Sequence, residues 1–345
     1  MKVLISPLIA VSILNQAELI KKLCIKKGFE VEYKGTISTS DAKDPNVYSM
    51  LWFTLAGVPY IGNIAPAYLS TNKPKAIYVT IEGVPAKSLV MCSPVQRFEL
   101  IANSYFTKSM LERVNLKVKD VVHHAVDWTL CQKLREESSK IRKKWDDEYG
   151  DRVKLLFVGR NDPRKGLSNL AKAMHIVNEK NEDNCVLLMV CEGMVKEMED
   201  LSNVITIAGF GGMKYEQILA IIGACDYLVF PSVCEGFGLP VLEANAMGKP
   251  AIHAWFPPLS EFSSKDFNFV YGYAHETLVD NAKIQFWLFH EYYPEDLADM
   301  INFAIDIYKK DKSEYDEYCN KAIEHTKRFD YRRIYPKLLR HLGIS

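Results

Sequence analysis

The sequence lacks an excess of charge of either sign. Its 345 residues include 43 Lys and Arg and 43 Asp and Glu, so the formal net charge is zero. Proteins whose main role is to bind nucleic acid carry a basic face that attracts the phosphate backbone. The composition therefore gives no support for a nucleic-acid partner, although it leaves room for a local basic pocket.

Cysteine motifs and long apolar runs are also missing. The eight cysteines show no Cys-x-x-Cys spacing, which favours buried free thiols in a reducing compartment; a Cys185–Cys191 disulfide is the alternative. No charge-free apolar run approaches the ~20 residues that span a bilayer. Residues 1–7 predict a short strand rather than a signal peptide. We expect a cytoplasmic protein, with a peripheral membrane contact left open.

Apolar runs alternate with helix-like runs along the chain, without sequence repeats or low-complexity tracts. Strands are predicted at 3–5, 29–33, 75–81, 100–103, 121–127, 154–158, 185–190, 204–207, 227–230 and 251–254. The charged segment 131–152 divides the alternation into two sets and predicts an exposed helical connector. Two successive β-α sets predict an α/β protein with two doubly wound domains, at residues 1–128 and 129–330.

The run from Pro231 to Pro250 is the most informative stretch. It places two carboxylates, Glu235 and Glu243, on either side of a Gly-Phe-Gly turn that leads from a strand into a helix-like run, Leu239–Met247. In α/β sheets such a turn lies at the carboxyl edge, where ligands bind. Glycines let a ligand approach the backbone, and a helix N-terminus favours an anion. The pattern predicts a site for a phosphorylated, hydroxyl-rich molecule.

A second loop, Gly159–Gly166, also follows a predicted strand and precedes a predicted helix. Its cations Arg160 and Lys165 could face a diphosphate, because both side chains bind phosphate oxygens. We expect Arg164 to be more exposed than they are. A solvated surface turn is the alternative for this loop, and helix-dipole stabilisation alone is the alternative for the two acids.

The loop Gly159–Gly166, the pair Gly209–Phe210 and the run Pro231–Pro250 resemble the retaining family-4 glycosyltransferases in order and spacing. The resemblance implies the GT-B fold, which has two Rossmann-like domains facing across a cleft and a nucleotide-sugar donor on the C-terminal one. It also implies that the last helix, 331–345, crosses back onto the N-terminal domain.

The resemblance implies a role for each matching residue. Arg160 and Lys165, next to Gly159, would hold the donor diphosphate, and Glu243 would bond the ribose hydroxyls. Glu235 would face the donor sugar. The remaining donor-binding positions are in the Gly-Phe-Gly turn and beside the base: Gly236, Phe237, Gly238, Leu239 and Phe210.

The same resemblance implies a hexosyltransferase that retains configuration and uses a UDP-sugar or GDP-sugar. It implies no cofactor and no metal, and no Asp-x-Asp signature follows a predicted strand. The acceptor, whether a sugar, a lipid-linked sugar or a protein, is left open, as is the oligomeric state. The alternatives are a nucleotide-sugar-binding protein without transferase activity and a GT-B epimerase or phosphorylase.

Two departures from the family lie in the first half of the chain. The family often has a glycine pair after its first strand, where this chain has Ser6–Ala10. It often has a histidine after a middle strand of the N-terminal domain, where this chain has Glu82. Either Glu82 is the ionisable group on the acceptor side, or it is a turn residue.

Two other features have structural explanations. His123 and His124 are adjacent on a predicted strand and would point to opposite faces, so shared metal binding is not expected. We expect one of them to be buried and hydrogen-bonded. The aromatic run Phe286–Tyr293 predicts core packing or an interface, and docking to a lipid or a sugar is the alternative.

Overall fold

The computed structural model describes residues 1–7, 10–55, 58–91, 98–193, 195–209 and 211–345. These residues divide into two compact units. Unit 1 contains Met1–Asp127, Thr277–Leu288 and Arg328–Ser345, and unit 2 contains Trp128–Glu276 and Phe289–Lys327. The domain ranges predicted from the sequence differ most at Thr277–Leu288, which falls in the predicted second domain but packs within unit 1.

Strands and helices alternate through most of the described chain. The strands are β1 (Lys2–Ser6), β2 (Glu30–Tyr33), β3 (Val47–Leu55), β4 (Lys75–Thr80), β5 (Gly83–Pro85), β6 (Leu100–Ala102), β7 (Val118–Val121), β8 (Val153–Val158), β9 (Cys185–Val190), β10 (Val204–Ala208), β11 (Tyr227–Phe230), β12 (Ala251–Ala254), β13 (Phe269–Tyr271), β14 (His275–Asn281) and β15 (Gln285–Glu291). The helices are α1 (Val11–Lys26), α2 (Thr39–Lys43), α3 (Val58–Leu69), α4 (Lys87–Met91), α5 (Tyr105–Glu112), α6 (Trp128–Lys133), α7 (Arg135–Tyr149), α8 (Leu167–Asn181), α9 (Tyr215–Ala224), α10 (Leu239–Ala246), α11 (Pro294–Lys310), α12 (Lys312–Thr326), α13 (Tyr331–Ile334) and α14 (Pro336–His341).

Unit 1 is built on a parallel sheet of six strands in the order β2-β1-β3-β4-β6-β7. Its inner strands β1, β4 and β6 are largely apolar because helices cover both faces of such a sheet, whereas the edge strands β2 and β7 are more polar. The C-terminal helices α13 and α14 complete this core. Tyr335 and Leu338 pack in the same buried cluster as Val3 and Ile20, and the Tyr335 hydroxyl donates a hydrogen bond to Gln16.

The last strand of the first domain, predicted with its exit turn within residues 121–127, lies earlier in the chain than predicted, and 122–125 are irregular. The sheet ends instead with β7, and the chain beyond it turns toward the C-terminal segment, where the Val126 amide donates to the Phe329 carbonyl at 3.1 Å. His124 is buried with its Nδ1 3.0 Å from the Tyr78 hydroxyl, and burial lowers its pKa to about 3. The expectation of one buried, hydrogen-bonded histidine is confirmed.

A small sheet in the order β14-β15-β5 contains the aromatic run 286–293. Strand β15 pairs antiparallel with β5, and a Cβ on Gly83 would lie 1.9 Å from the Phe286 carbonyl oxygen, so the pairing requires glycine there. Within the run Leu288 and Tyr292 are buried, whereas Tyr293 is 62% exposed. Core packing therefore accounts for only part of the run.

Unit 2 contains a second parallel sheet of six strands, in the order β10-β9-β8-β11-β12-β13. Counted from β8, this is the 3-2-1-4-5-6 order of the dinucleotide-binding fold, and the order reverses between β8 and β11. Strands β9, β11 and β12 have the bounds that the sequence predicts. They are completely buried hydrophobic runs, apart from the histidine in β12.

The charged segment 131–152 forms the end of α6 and all of α7, and it is more than an exposed connector. Arg142 on α7 contacts Asp226 at 2.5 Å, just before β11 begins. The fully buried Lys154 donates to Asp146 at 2.6 Å, and its amide donates to the second oxygen of Asp226 at 2.8 Å. These charges fasten α7 to the amino edge of the second sheet.

The described cysteines, including Cys185 and Cys191, are free thiols, so the disulfide alternative is wrong. The predicted C-terminal helix is broken in two at Pro336, because proline cannot donate the backbone hydrogen bond that continues a helix. None of the helices in the described part of the chain has the length and apolar character needed to cross a bilayer.

Candidate active site

The two loops singled out in the sequence follow neighbouring strands of the second sheet. The basic loop follows β8 and the acidic turn follows β11, and these strands pair in parallel at Tyr227 with Leu155 and at Leu228 with Leu156. Both loops therefore leave the carboxyl edge at the point where the strand order reverses. Ligands of open α/β sheets bind in the crevice at this point.

The basic loop is a tight turn that ends on a glycine. The Asp162 side chain accepts from the Arg164 amide at 3.1 Å, and its carbonyl accepts from the Lys165 amide at 2.8 Å. Gly166 has φ of +68°, and a Cβ there would lie 2.0 Å from the Pro231 carbonyl oxygen. Glycine is needed at this position both for the left-handed backbone and for the approach of the acidic turn.

Backbone and side-chain hydrogen bonds hold the two loops together. The Val233 amide donates to the Arg164 carbonyl at 2.9 Å. The Pro231 carbonyl accepts from the Tyr292 hydroxyl at 2.5 Å, and the Val233 carbonyl accepts from the His290 amide at 2.7 Å. The side chains that the loops carry are therefore supported on a rigid frame.

Lys165 and Glu235 form an ion pair where the loops meet. The Lys165 Nζ lies 2.5 Å from Glu235 Oε1, with 14% and 7% of the two side chains exposed. Burial opposes ionisation of Glu235, but the positive charges of Lys165 and Arg164 hold the pKa of this carboxyl below its ordinary value. The site thus contains an ionised carboxylate directly bonded to an ammonium group.

The two arginines of the loop, Arg160 and Arg164, reverse the exposure expected from the sequence. The Arg164 side chain is only 17% exposed and lies 3.6 Å from Asp162. Arg160 is 62% exposed, and its Nε lies 3.4 Å from Glu192, which follows β9. The expectation that Arg164 is the more exposed one is wrong, because the carbonyl bonded to Val233 turns this residue inward.

The Gly-Phe-Gly turn begins α10. Gly238 has φ of +96°, and a Cβ there would lie 2.2 Å from the Leu259 side chain. The Phe237 ring is buried and stacks on Phe262 with centroids 4.8 Å apart. Phe237 therefore anchors the turn through its side chain, which leaves the backbone of Gly236–Leu239 as the part of the turn suited to contact a ligand.

Glu243 lies one turn into α10 and is buried. Burial raises the pKa of its carboxyl to about 7, and a hydrogen bond from the Tyr215 hydroxyl, at 2.9 Å, acts in the opposite direction. Tyr215 was not predicted as a site residue. Its position as the first residue of α9, just after the Gly209–Phe210 motif, is the signal in the sequence that points to it.

Three other predicted site residues either lie apart from the ion pair or are outside the residues that the structure describes. The Gly159 amide donates to the Val190 carbonyl at 3.1 Å and so continues the strand pairing. Phe210 lies outside the described residues. Glu82 belongs to unit 1, where it is half-buried between β4 and β5 and its carbonyl accepts from the Leu288 amide at 3.0 Å.

Comparisons with known proteins agree with this architecture. HepE from Anabaena, solved in complex with UDP and glucose, is 16% identical and superposes with a TM-score of 0.70 over 99% of both chains. A glycosyltransferase from Rickettsia africae is also 16% identical, with a TM-score of 0.71 over 99% of this chain and 98% of that one. The predicted α/β fold of the GT-B class is confirmed.

Sequence similarity reaches the same group of proteins. Glycosyltransferase 335 of Sulfolobus islandicus rod-shaped virus 1 is 27% identical over 308 residues, which is 88% of this chain and 90% of the relative. A D-inositol 3-phosphate glycosyltransferase from Corynebacterium glutamicum is 30% identical over 29% of this chain and 26% of its own. The model of the glycosyl transferases group 1 family matches residues 138–325, more than half of the sequence. The chain therefore belongs to the glycosyl transferases group 1 family.

Proposed function

We propose that this glycosyltransferase takes its sugar from a nucleoside-diphosphate sugar bound at the carboxyl edge of the second sheet, and that the configuration of the sugar is retained. The observation that carries the proposal is the buried Lys165–Glu235 pair at the reversal of strand order. It places a cation suited to a diphosphate beside a carboxylate suited to sugar hydroxyls, at the start of a helix that favours anions.

Each residue then has one task. Lys165 and the exposed Arg160 contact the diphosphate, and Arg160 leaves Glu192 to do so. Glu235 faces the sugar, and Glu243 accepts hydrogen bonds from the ribose. Backbone amides from Gly236 to Leu239 bind sugar hydroxyls and phosphate oxygens.

The diphosphate competes with Glu235 for Lys165. In the structure the ammonium group is satisfied by one carboxylate oxygen. A bound diphosphate supplies further oxygens within reach of its other two protons, so one lysine can bridge donor phosphate and Glu235. This bridge would fix Glu235 beside the anomeric carbon, where positive charge develops.

The reaction breaks the bond between the anomeric carbon and the phosphate oxygen and forms one to an acceptor hydroxyl oxygen. The acceptor attacks on the face that the diphosphate leaves, and its proton passes to the departing phosphate. Negative charge grows on that phosphate in the transition state, so the fixed cations stabilise the transition state more than the bound donor. No enzyme nucleophile, metal or cofactor takes part in this scheme.

UDP-glucose is the first donor to test because the HepE structure holds UDP and glucose, and a GDP-sugar is the second. The acceptor can be a sugar, a lipid-linked sugar or a protein. Glu82 is proposed as an ionisable group on the acceptor side. We propose a cytoplasmic location, with peripheral contact to a membrane when the acceptor is lipid-linked.

The test combines turnover with three variants. Losing a charged contact to the leaving group costs about 2.7–4 kcal/mol of barrier if oxyanion-hole losses are a guide, so Arg160→Ala and Lys165→Ala should each slow donor turnover roughly 100-fold or more. Lys172→Ala, at an exposed position on α8, is the matched control and should keep full activity. EDTA should leave the rate unchanged.

Each other result has a definite meaning. Near-normal turnover in both cation variants would exclude the diphosphate clamp, and loss of activity in EDTA would exclude the metal-free scheme. Donor binding without transfer or slow donor hydrolysis would favour a binding protein without transferase activity. Turnover that requires inorganic phosphate would favour a phosphorylase, and isomerised nucleotide sugar would favour an epimerase.

A further inference from the structure

Tyr215 and Glu243 meet across two helices that begin at the same edge of the second sheet. Tyr215 is the first residue of α9, and its hydroxyl lies 2.9 Å from Oε1 of Glu243 on α10. Among the residues that the structure describes, this hydroxyl is the hydrogen-bond donor that meets the Glu243 carboxylate. The contact occupies one oxygen of the Glu243 carboxylate, and Glu243 is only 6% exposed.

The start of α9 holds the tyrosine in place. The Lys214 amide, just before the helix, donates to the Gln217 side chain at 2.9 Å and so caps the first turn. Leu219 and Ile222 on the same helix are completely buried, and α9 packs against α10. A capped helix with a packed face sets the direction in which the phenol points.

We propose that Tyr215 is a positioning residue for the nucleotide ribose: its hydroxyl holds one oxygen of the Glu243 carboxylate and presents the other to the ribose diol. The proposal rests on the ribose role of Glu243 in the proposed function. Tyr215 does not contact the ribose itself. A glutamate side chain has three rotatable bonds, and tying one oxygen removes most of that freedom before the donor arrives.

The hydroxyl also favours the charged form of Glu243, which burial opposes. With the hydrogen bond in place the pKa of this carboxyl is about 7, and burial is the larger cause. The elements packed against α10 also carry Lys133, Tyr227, His253 and Lys321, on α6, β11, β12 and α12, and none of these groups contributes to the shift. Tyr215 is thus the group that favours the ionised carboxylate.

Removal of the hydroxyl should therefore weaken ribose binding in a pH-dependent way. A lost hydrogen bond to a charged group moves the pKa upward by about one unit. The ionised fraction of Glu243 near pH 7 then falls several-fold. At pH 9 the Glu243 carboxyl is mostly ionised in both proteins, so the difference in affinity that remains is the loss of orientation alone.

The experiment measures the affinity of UDP and GDP by calorimetry between pH 6.5 and 9, and repeats the series with the 2′-deoxy form of whichever binds more tightly. The wild type should prefer the ribose form by about 10- to 100-fold at high pH, the value of one or two hydrogen bonds to a carboxylate. Tyr215→Phe should lose most of this preference at pH 7 and regain part of it by pH 9. Glu243→Ala should lose it at every pH.

A matched control removes another phenol hydroxyl from unit 2. Tyr308 accepts a hydrogen bond from Arg142 at 2.9 Å near the amino edge of the sheet, so Tyr308→Phe should keep the wild-type preference at every pH. Circular dichroism of each variant confirms that the fold is intact. Tyr215→His, which keeps a hydrogen-bond donor at this position, should restore part of the preference at pH 7.

The outcomes separate this inference from the proposed function. If Glu243→Ala keeps the ribose preference, or neither nucleotide binds to the wild type, the ribose role of Glu243 is wrong. If Glu243→Ala loses the preference while Tyr215→Phe keeps it at pH 7, the positioning role of Tyr215 is wrong. A loss in Tyr215→Phe that is equal at pH 7 and pH 9 would confine the role to orientation and exclude an effect on the charge of Glu243.

Discussion

The buried Lys165–Glu235 pair makes a prediction about stability that does not depend on the substrate. Lys165→Met keeps the length of the side chain but leaves an ionised carboxylate with 7% exposure beside an apolar group. Removal of one partner of a buried pair costs about 3–5 kcal/mol. Arg164 still contributes positive charge at Glu235, so we expect about 3 kcal/mol, or a fall in melting temperature of about 6–12 °C for a domain of this size.

The pH dependence of this loss has a definite sign. In the wild type the pKa of Glu235 is lower in the folded protein than in the unfolded protein. The stability that its charge contributes is therefore fully present above the unfolded pKa of about 4.3, and it is lost only as the pH falls through the lower folded pKa. In Lys165→Met burial is no longer opposed by the lysine, and the folded pKa rises. The variant should therefore lose stability, relative to the wild type, as the pH rises from 4.5 to 7.5.

The assay must report on unit 2 alone. Hydrogen exchange of peptides that cover β11 and α10, measured in increasing urea, gives the free energy of opening of this unit at each pH. The double variant Lys165→Met/Glu235→Gln is the control, because it carries no charge at either position and should show no pH-dependent loss. A deficit below about 1 kcal/mol, as for an exposed pair, or a deficit equal at both pH values, would refute the reasoning.

Two further predictions concern the frame of the site. Gly166→Ala should weaken nucleotide binding at least ten-fold, because its Cβ would overlap the Pro231 carbonyl oxygen. Gly28→Ala is the control, since Gly28 also has a positive φ but no atom would lie within 4 Å of its Cβ. Equal effects of the two substitutions on nucleotide affinity would contradict the packing argument. Asp226→Asn should lower the free energy of unfolding of unit 2 by about 1.5–3 kcal/mol, since it removes the buried charge that faces the partly exposed Arg142. The affinity of the folded variant for the nucleotide should not change. A loss of affinity without a loss of stability would show that this network takes part in nucleotide binding.

The sequence predicts the parts of the fold that depend on local pattern. Strands β9, β11 and β12 are short, apolar runs bounded by turn residues, and their predicted bounds are correct. Strand β3 lies at the centre of the first sheet but was not predicted, because Tyr48, Ser49 and Thr54 interrupt its apolar run. The polar strand β14 was missed for a similar reason, since it exposes most of its side chains.

The side-chain pairs of the site depend on contacts that no local pattern contains. Lys165 and Glu235 are 70 positions apart, and the sequence suggests a separate role for each rather than an ion pair. Tyr215 meets Glu243 only because α9 and α10 pack together. The Arg164 carbonyl accepts a hydrogen bond from the Val233 amide, a contact with the acidic turn that sequence spacing does not specify.

The division of unit 1 among separate chain segments has a consequence for synthesis on the ribosome. The first 127 residues contain its six-stranded sheet, but Tyr335, Leu338 and Leu342 belong to the core of that sheet and are made after unit 2. Chains usually fold domain by domain as they emerge. All of unit 2 precedes Arg328, so while this unit folds the first unit still exposes the apolar surface that Tyr335, Leu338 and Leu342 cover. That surface is the part of the molecule that a ribosome-associated chaperone would have to cover until those residues emerge.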